Sequence, residues 1–394
     1  MKRIKIIISF LLIFAFVLSF SSCELFEDET PDTTSSLSGG STAAVVTDEI
    51  VTTESTSVNE PKYSEISIDI PNDCSVFDKE FAIELLSLCG SQNKNSQKAA
   101  LENVGFEVII QNNYEKSKED SSHTCAYTIA CGTDSTVSPS RSVIIVCVRG
   151  TSNGEWYSNF DFAPSHSDST RFAENFLACA QDVYTALKPV IDENPGSEVI
   201  VCGHSRGAAC SNLLGYLLNE DNVPDCYVYT FATPTTVRGE HDNSKYSNIF
   251  NVINSSDIVT YLPLASMGFY RLGTDIVLSG TASLTERVAS IIDSLSTVSS
   301  GVSSYYNDKH STDKKGLSDD GVTVKEVMDA VCSALFIGGG AEESMKLLSS
   351  LSADSDFGPV VSLMSEFSSE TSMMYLLISA QHMPSAYINQ LSSY

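Results

Sequence analysis

The chain has 394 residues, 42% of them hydrophobic, and a formal net charge of −27. This is globular composition with ample length for a large core. So acidic a chain argues against nucleic acid, and against an anionic membrane held by charge, because both need clustered Lys and Arg.

Lys2, Arg3 and Lys5 precede an apolar run, Ile6 to Phe20, broken only by Ser9 and Ser19. The run is short for a membrane span of roughly 20 residues and suits a secretory leader. Ser21, Ser22 and Cys23 follow, with Phe20 where a leucine is usual. This stretch resembles a bacterial lipoprotein cleavage box. The resemblance implies a signal peptide over 1–22, lipid on Cys23, and an extracytoplasmic domain anchored to the cell membrane. The other reading is an ordinary signal peptide with Cys23 incidental. Residues 23–62 are rich in Ser, Thr and acidic side chains, with no basic residue from Glu24 to Pro61. They cannot bury enough apolar surface to order themselves and read as a disordered, solvated tether.

The folded domain is expected over 63–394. A helix is predicted over Asp78–Leu88, and strands over Phe106–Ile110, Ala126–Ala130 and Ser142–Val148. "VIIVCV" is nearly all apolar and β-branched, as a buried parallel strand should be. Ser169 can cap a helix with Phe172, Phe176, Cys179, Val183 and Leu187 on one face, weakening at Pro189 and ending by Gly196. Strand Glu198–Cys202, a helix from Arg206 to about Leu218, the strand "CYVYTFATP" stopped at Pro234, and "NIFNVI" follow. Strand and helix in alternation predict an α/β fold with a mostly parallel sheet and right-handed crossovers. After Leu264 the apolar spacing turns helical, first through Leu284, Val288, Ile291, Leu295 and Val298, then through Val324, Val327, Val331 and Leu335. We read about 265–380 as a helical insertion on the sheet's rim before a C-terminal return.

The 11 cysteines in an exported chain invite a disulfide framework. Their placement favours small buried hydrophobes instead, with Cys147 and Cys202 inside strands and Cys179 on a helix's apolar face. No CxxC or Cys/His cluster suggests zinc, and no metal or cofactor is expected.

Gly203-His204-Ser205-Arg206-Gly207 fits G-x-S-x-G, with an apolar strand before it and a helix after it. Holding a serine in a strained strand-to-helix turn needs small neighbours, and Ala208-Ala209 add close packing. A serine hydroxyl needs a base, and the base an orienting acid, in the order Ser, acid, His. Asp257, after the strand "NIFNVI", is the candidate acid. Downstream of it only His310 and His382 remain as bases. His310 lies in the polar "NDKHSTDKK" and His382 in "SAQHMPSAYI", before Pro384, so His382 is favoured as the better-held group. His204 reads as a packing residue, and His123, His166 and His241 as structural or exposed. Arg206 supplies one oxyanion amide, and Thr151, after the turn at Arg149-Gly150, is the candidate for the other.

"VRGTSNGEWYSNF", "VIVCGHSRGAA", "VYTFATP", "FNVINSSDIVTYLPL" and "HMPSAYI" together resemble, in order, the landmarks of class 3 lipases, the fungal triacylglycerol lipase-like branch of the α/β-hydrolases. The resemblance spans roughly Ser142 to Leu391, with 265–380 poorly matched. It implies Ser205 as nucleophile, Asp257 as acid, His382 as base, and Thr151 and Arg206 as oxyanion donors. It also implies an ester or lipid substrate cleaved through an acyl-enzyme. Alternatives on the same fold are an acyltransferase, a thioesterase or an inactive surface binding lipoprotein. Arg206 stands where the family usually has Leu, and its side chain is expected to make the substrate site less apolar. Residues 152–168, with the sole tryptophan, Trp156, read either as a lid over an acyl pocket or as a surface loop. Oligomeric state is left open.

Overall fold

A computed structural model describes residues 62–91, 93–115, 124–150, 172–239, 242–265, 268–286, 288–289, 292–293 and 380–394. All of them belong to the compact unit Lys62–Tyr394. The leader, Cys23, the tether, Thr151, the 152–168 segment, His310 and most of the expected insertion lie outside the described residues.

Helix α1 (Lys79–Cys89) starts where the Asp78 carboxylate accepts from the Phe81 amide, and α2 (Lys94–Asn103) starts in the same way at Asn93. The main sheet follows. It comprises β1 (Glu107–Asn112), β2 (Tyr127–Asp134), β3 (Arg141–Val148), β4 (Glu198–His204), β5 (Cys226–Phe231), β7 (Ile249–Asn254) and β9 (Thr274–Leu278), side by side in that order. β1, β2 and β3 pair antiparallel, while β3, β4, β5, β7 and β9 pair parallel. The sheet is mostly parallel, as expected, with an antiparallel edge that strand-helix alternation alone does not announce. Helices α3 (Glu174–Glu193) and α4 (Arg206–Glu220) carry the β3–β4 and β4–β5 crossovers, and α5 (Pro384–Leu391) closes the chain. β6 (Val237–Arg238) and β8 (Phe269–Tyr270) form a small separate ribbon. This is an α/β-hydrolase fold.

The inner strands are buried on both faces, so alternate side chains feed two cores. Ile144, Val146, Val199 and Val201 pack with α3 and α4 on one side. Val143, Ile145, Cys147, Ile200 and Cys202 pack with α1 and α5 on the other. The cysteines among the described residues are all free thiols. Cys147 and Cys202 face each other across β3 and β4 with sulfurs 3.5 Å apart.

Two expectations need correction. The helix α3 begins at Glu174 with Ala173 as its N-cap, not at Ser169, and Phe172 lies before it in a bridge to Val237. The sheet also continues past residue 265. β9 pairs with β7 in register Val252–Ile276, so any insertion begins after Leu278 rather than at 265. β9 is an edge strand with a mostly exposed pattern, and its short "TDIVL" has no long apolar run to announce it.

A polar knot joins α4 to the sheet. Asn212 Nδ2 donates to Asn251 Oδ1 and to the Leu272 carbonyl, and the Thr236 hydroxyl donates to Asn212 Oδ1. Thr233 donates to Thr230, which donates to Asn251. At the other end of the strands Arg141 pairs with both Asp134 and Glu198. Among the described residues no helix is long and apolar enough to cross a membrane.

Candidate active site

β4 runs into α4 through a single residue, Ser205, at φ 57°, ψ −124°. A non-glycine residue there costs on the order of 1–3 kcal/mol, which the surroundings must offset. Two things hold it. The Ser205 amide donates to the Phe231 carbonyl at the end of β5, 2.9 Å away. The flanking glycines let the backbones close up: a Cβ on Gly207 would lie 2.2 Å from the Val148 carbonyl, and one on Gly203 2.5 Å from the Gly207 carbonyl. The turn therefore packs directly on the end of β3, where Arg149 and Gly150 lead toward Thr151.

Asp257 follows β7 and caps a 3-10 turn, Ile258–Tyr261, with Oδ1 accepting from the Val259 amide at 3.0 Å. His382 lies just before α5, whose first residue is Pro384. These separate elements bring three side chains into a line. Ser205 Oγ is 2.8 Å from His382 Nε2, and His382 Nδ1 is 2.8 Å from Asp257 Oδ2. A carboxylate only accepts, so Nδ1 carries the proton and Nε2 is free to accept from the hydroxyl. Asp257 is fully buried and Ser205 7% exposed. The arrangement can take a proton from the hydroxyl as it attacks and hold the imidazolium that forms.

Two buried groups complete the setting and were not singled out from the sequence as functional. The Tyr387 hydroxyl donates to Asp257 Oδ2 at 2.7 Å and accepts from the Asn254 amide at 3.2 Å. Burial, then the Asp257 charge, pushes the Tyr387 phenol well above its ordinary pKa, so it stays a donor. Asn254 Nδ2 in turn reaches the Gln381 carbonyl at 3.1 Å. The only sequence signal for Tyr387 is its place on the apolar face of a short helix, where a tyrosine reads as core.

Arg206 opens α4, so its amide is one of the four that a helix cannot satisfy from within. Its side chain overturns the expectation for it. The guanidinium is 1% exposed and points into the core, donating to Cys179 Sγ at 3.3 Å and toward the Thr124 carbonyl at 3.4 Å. Cys125 and Cys210 lie in the same core. Hydrogen bonds from Cys179 and Cys210, with the Arg206 charge beyond them, hold the Cys125 thiol below its ordinary pKa. The long aliphatic stem lets Arg fill a Leu-like site while its head finds acceptors deeper in, so it does not make the substrate site polar. Among the described residues no group of His, Cys, Asp and Glu stands close enough to hold a metal ion.

Residues 145–267 match the family model described as Lipase (class 3). The secreted mono- and diacylglycerol lipase A of Penicillium cyclopium is 28% identical over 151 residues, which is 35% of this chain and 49% of that protein. The chain thus spans about half the length of the curated relatives it matches. Similar solved structures include the Aspergillus oryzae mono- and diacylglycerol lipase, at TM-score 0.40 and 20% identity over 52% of this chain and 81% of that one. The Rhizomucor miehei lipase–propeptide complex gives TM-score 0.40 and 19% identity over 57% and 79%.

Proposed function

We propose that the chain, whose residues 145–267 match the class 3 lipase model, is a serine ester hydrolase working through Ser205, His382 and Asp257. The observation that carries this is the unbroken hydrogen-bonded line from Ser205 Oγ through His382 to Asp257, at 2.8 Å for each step. Ser205 Oγ attacks the ester carbonyl while His382 Nε2 takes its proton, then returns it to the leaving alcohol. Water, activated by the same nitrogen, releases the acyl group from Ser205. The Arg206 amide and Thr151 serve as donors to the oxyanion, and losing one such donor costs about 3–4 kcal/mol of transition-state stabilisation. The name of the Penicillium relatives, secreted mono- and diacylglycerol lipase A, supports acylglycerols as the substrate class. The apolar leader and Cys23 support a lipid-anchored, extracytoplasmic location, with the acidic segment as tether.

A fluorophosphonate probe tests the reading. The folded wild type labels at Ser205 and Ser205→Ala does not; a wild type that stays unlabelled sinks it. A series of mono-, di- and triacylglycerols of graded acyl length then defines the substrate.

A further inference from the structure

His204 is fully inside the protein, 4% exposed, between the nucleophile's strand and the segment that bears the base. Its Nε2 lies 2.8 Å from the main-chain carbonyl of His382. A carbonyl can only accept, so Nε2 carries the proton and the ring is a donor at that atom. The two imidazoles lie 5.0 Å apart, centroid to centroid, and the Tyr387 ring meets His204 edge-on at 6.2 Å. Burial, then the nearby His382, lowers the His204 pKa to about 3, with the Asp257 charge opposing. His204 is therefore neutral at any working pH and adds no repulsion when His382 becomes an imidazolium.

We infer that His204 is a positioning residue, which fixes the distance between Ser205 and His382 by bonding the base's own backbone to the nucleophile's covalent neighbour. The inference rests on the reading of Ser205 and His382 above. It follows from connectivity. The base arrives on a segment far along the chain from β4, and the imidazole must stay within hydrogen-bond reach of Oγ. The other polar ties of that segment, Asn254 to Gln381 and Tyr387 to Asp257, fix it to β7 and to the acid. His204 fixes it to the elbow. A misplacement of about 1 Å at a reacting group costs on the order of 100-fold in rate, so a tie of this kind has a direct kinetic consequence.

The test compares H204Q and H204L in the full chain. The glutamine amide reaches about as far as Nε2 and donates the same bond, while leucine fills space without a donor. H204L lowers kcat on a short aryl ester about 10–100-fold with KM within about twofold. It also loses the low-field NMR signal of the proton between His382 Nδ1 and Asp257, and H204Q recovers most of both. H204L with wild-type kcat and signal, or H204Q failing as far as H204L at equal thermal stability, overturns the inference. If H204L does not fold, H204N, whose amide is too short to reach, must show the loss. If the wild type neither turns over nor labels, the proposed function fails instead. The NMR comparison then decides alone: a signal kept in H204L refutes the tie, and one lost in H204L and kept in H204Q upholds it.

Discussion

Tyr387 and His382 hydrogen-bond the same oxygen, Oδ2 of Asp257, at 2.7 and 2.8 Å. One carboxylate oxygen thus receives the base and the residue that helps seat the base's helix, while Oδ1 is held by the Val259 amide. The carboxylate has no room to rotate without breaking one of the three.

Tyr387→Phe removes the phenol alone. It takes one donor from a buried carboxylate and strips the Asn254 amide of its acceptor. A hydrogen bond to a charged group is worth about 1.5–3 kcal/mol, so urea unfolding shows a loss of that size. If about half of it is felt in the transition state, kcat falls about 3- to 10-fold. Unchanged stability together with unchanged kcat would mean that the phenol plays no part.

Arg206 makes a prediction about specificity. With its guanidinium in the core beside Cys179, neither R206K nor R206L alters the preference for acyl length. R206K, whose shorter stem does not carry its ammonium to the Nη2 position that bonds both Cys179 and the Thr124 carbonyl, destabilises the fold by about 1–3 kcal/mol. A profile displaced toward long chains in R206L would instead return the side chain to the substrate site.

Glu198 links stability to pH. Burial raises its pKa to about 7, although Arg141 pairs with it, and Asp225 and Asp134 push the same way as burial. The folded state thus binds this proton more tightly than the unfolded chain, whose carboxyl titrates near its ordinary value of 4.5. The contribution is fully present below that pH and is lost as pH rises through about 7. Thermal unfolding scans should show wild-type Tm losing this increment over that window and E198Q lacking the decline. Parallel curves for the two proteins would exclude Glu198 as the source.

The sequence makes the centre of this molecule readable and its edges obscure. Glu198–Cys202 is apolar on both faces because both faces are covered, and the glycines around Ser205 announce a turn that only small residues permit. The order of Ser205, Asp257 and His382 could be proposed because candidate groups downstream were few. β9 was not legible, since an exposed edge strand needs neither alternation nor an apolar run. Nor was the direction of the Arg206 side chain, which depends on Cys179 and Thr124, both distant in the chain. His204 looked like packing because a hydrogen bond to a remote backbone carbonyl leaves no pattern in sequence.

The polar knot of Asn212, Thr236, Asn251, Thr230 and Thr233 bears on how this fold can vary. Thr233 and Thr236 donate, while Asn212, Thr230 and Asn251 each serve more than one partner, so replacing any of these three by a hydrophobe strands a neighbour out of reach of water. Substitution there must proceed in matched pairs, Asn212 with Asn251 or Thr230 with Thr233. Laboratory evolution from this chain should therefore leave the knot untouched while the surrounding valines and isoleucines exchange freely, and a library that randomises one position at a time will find it closed.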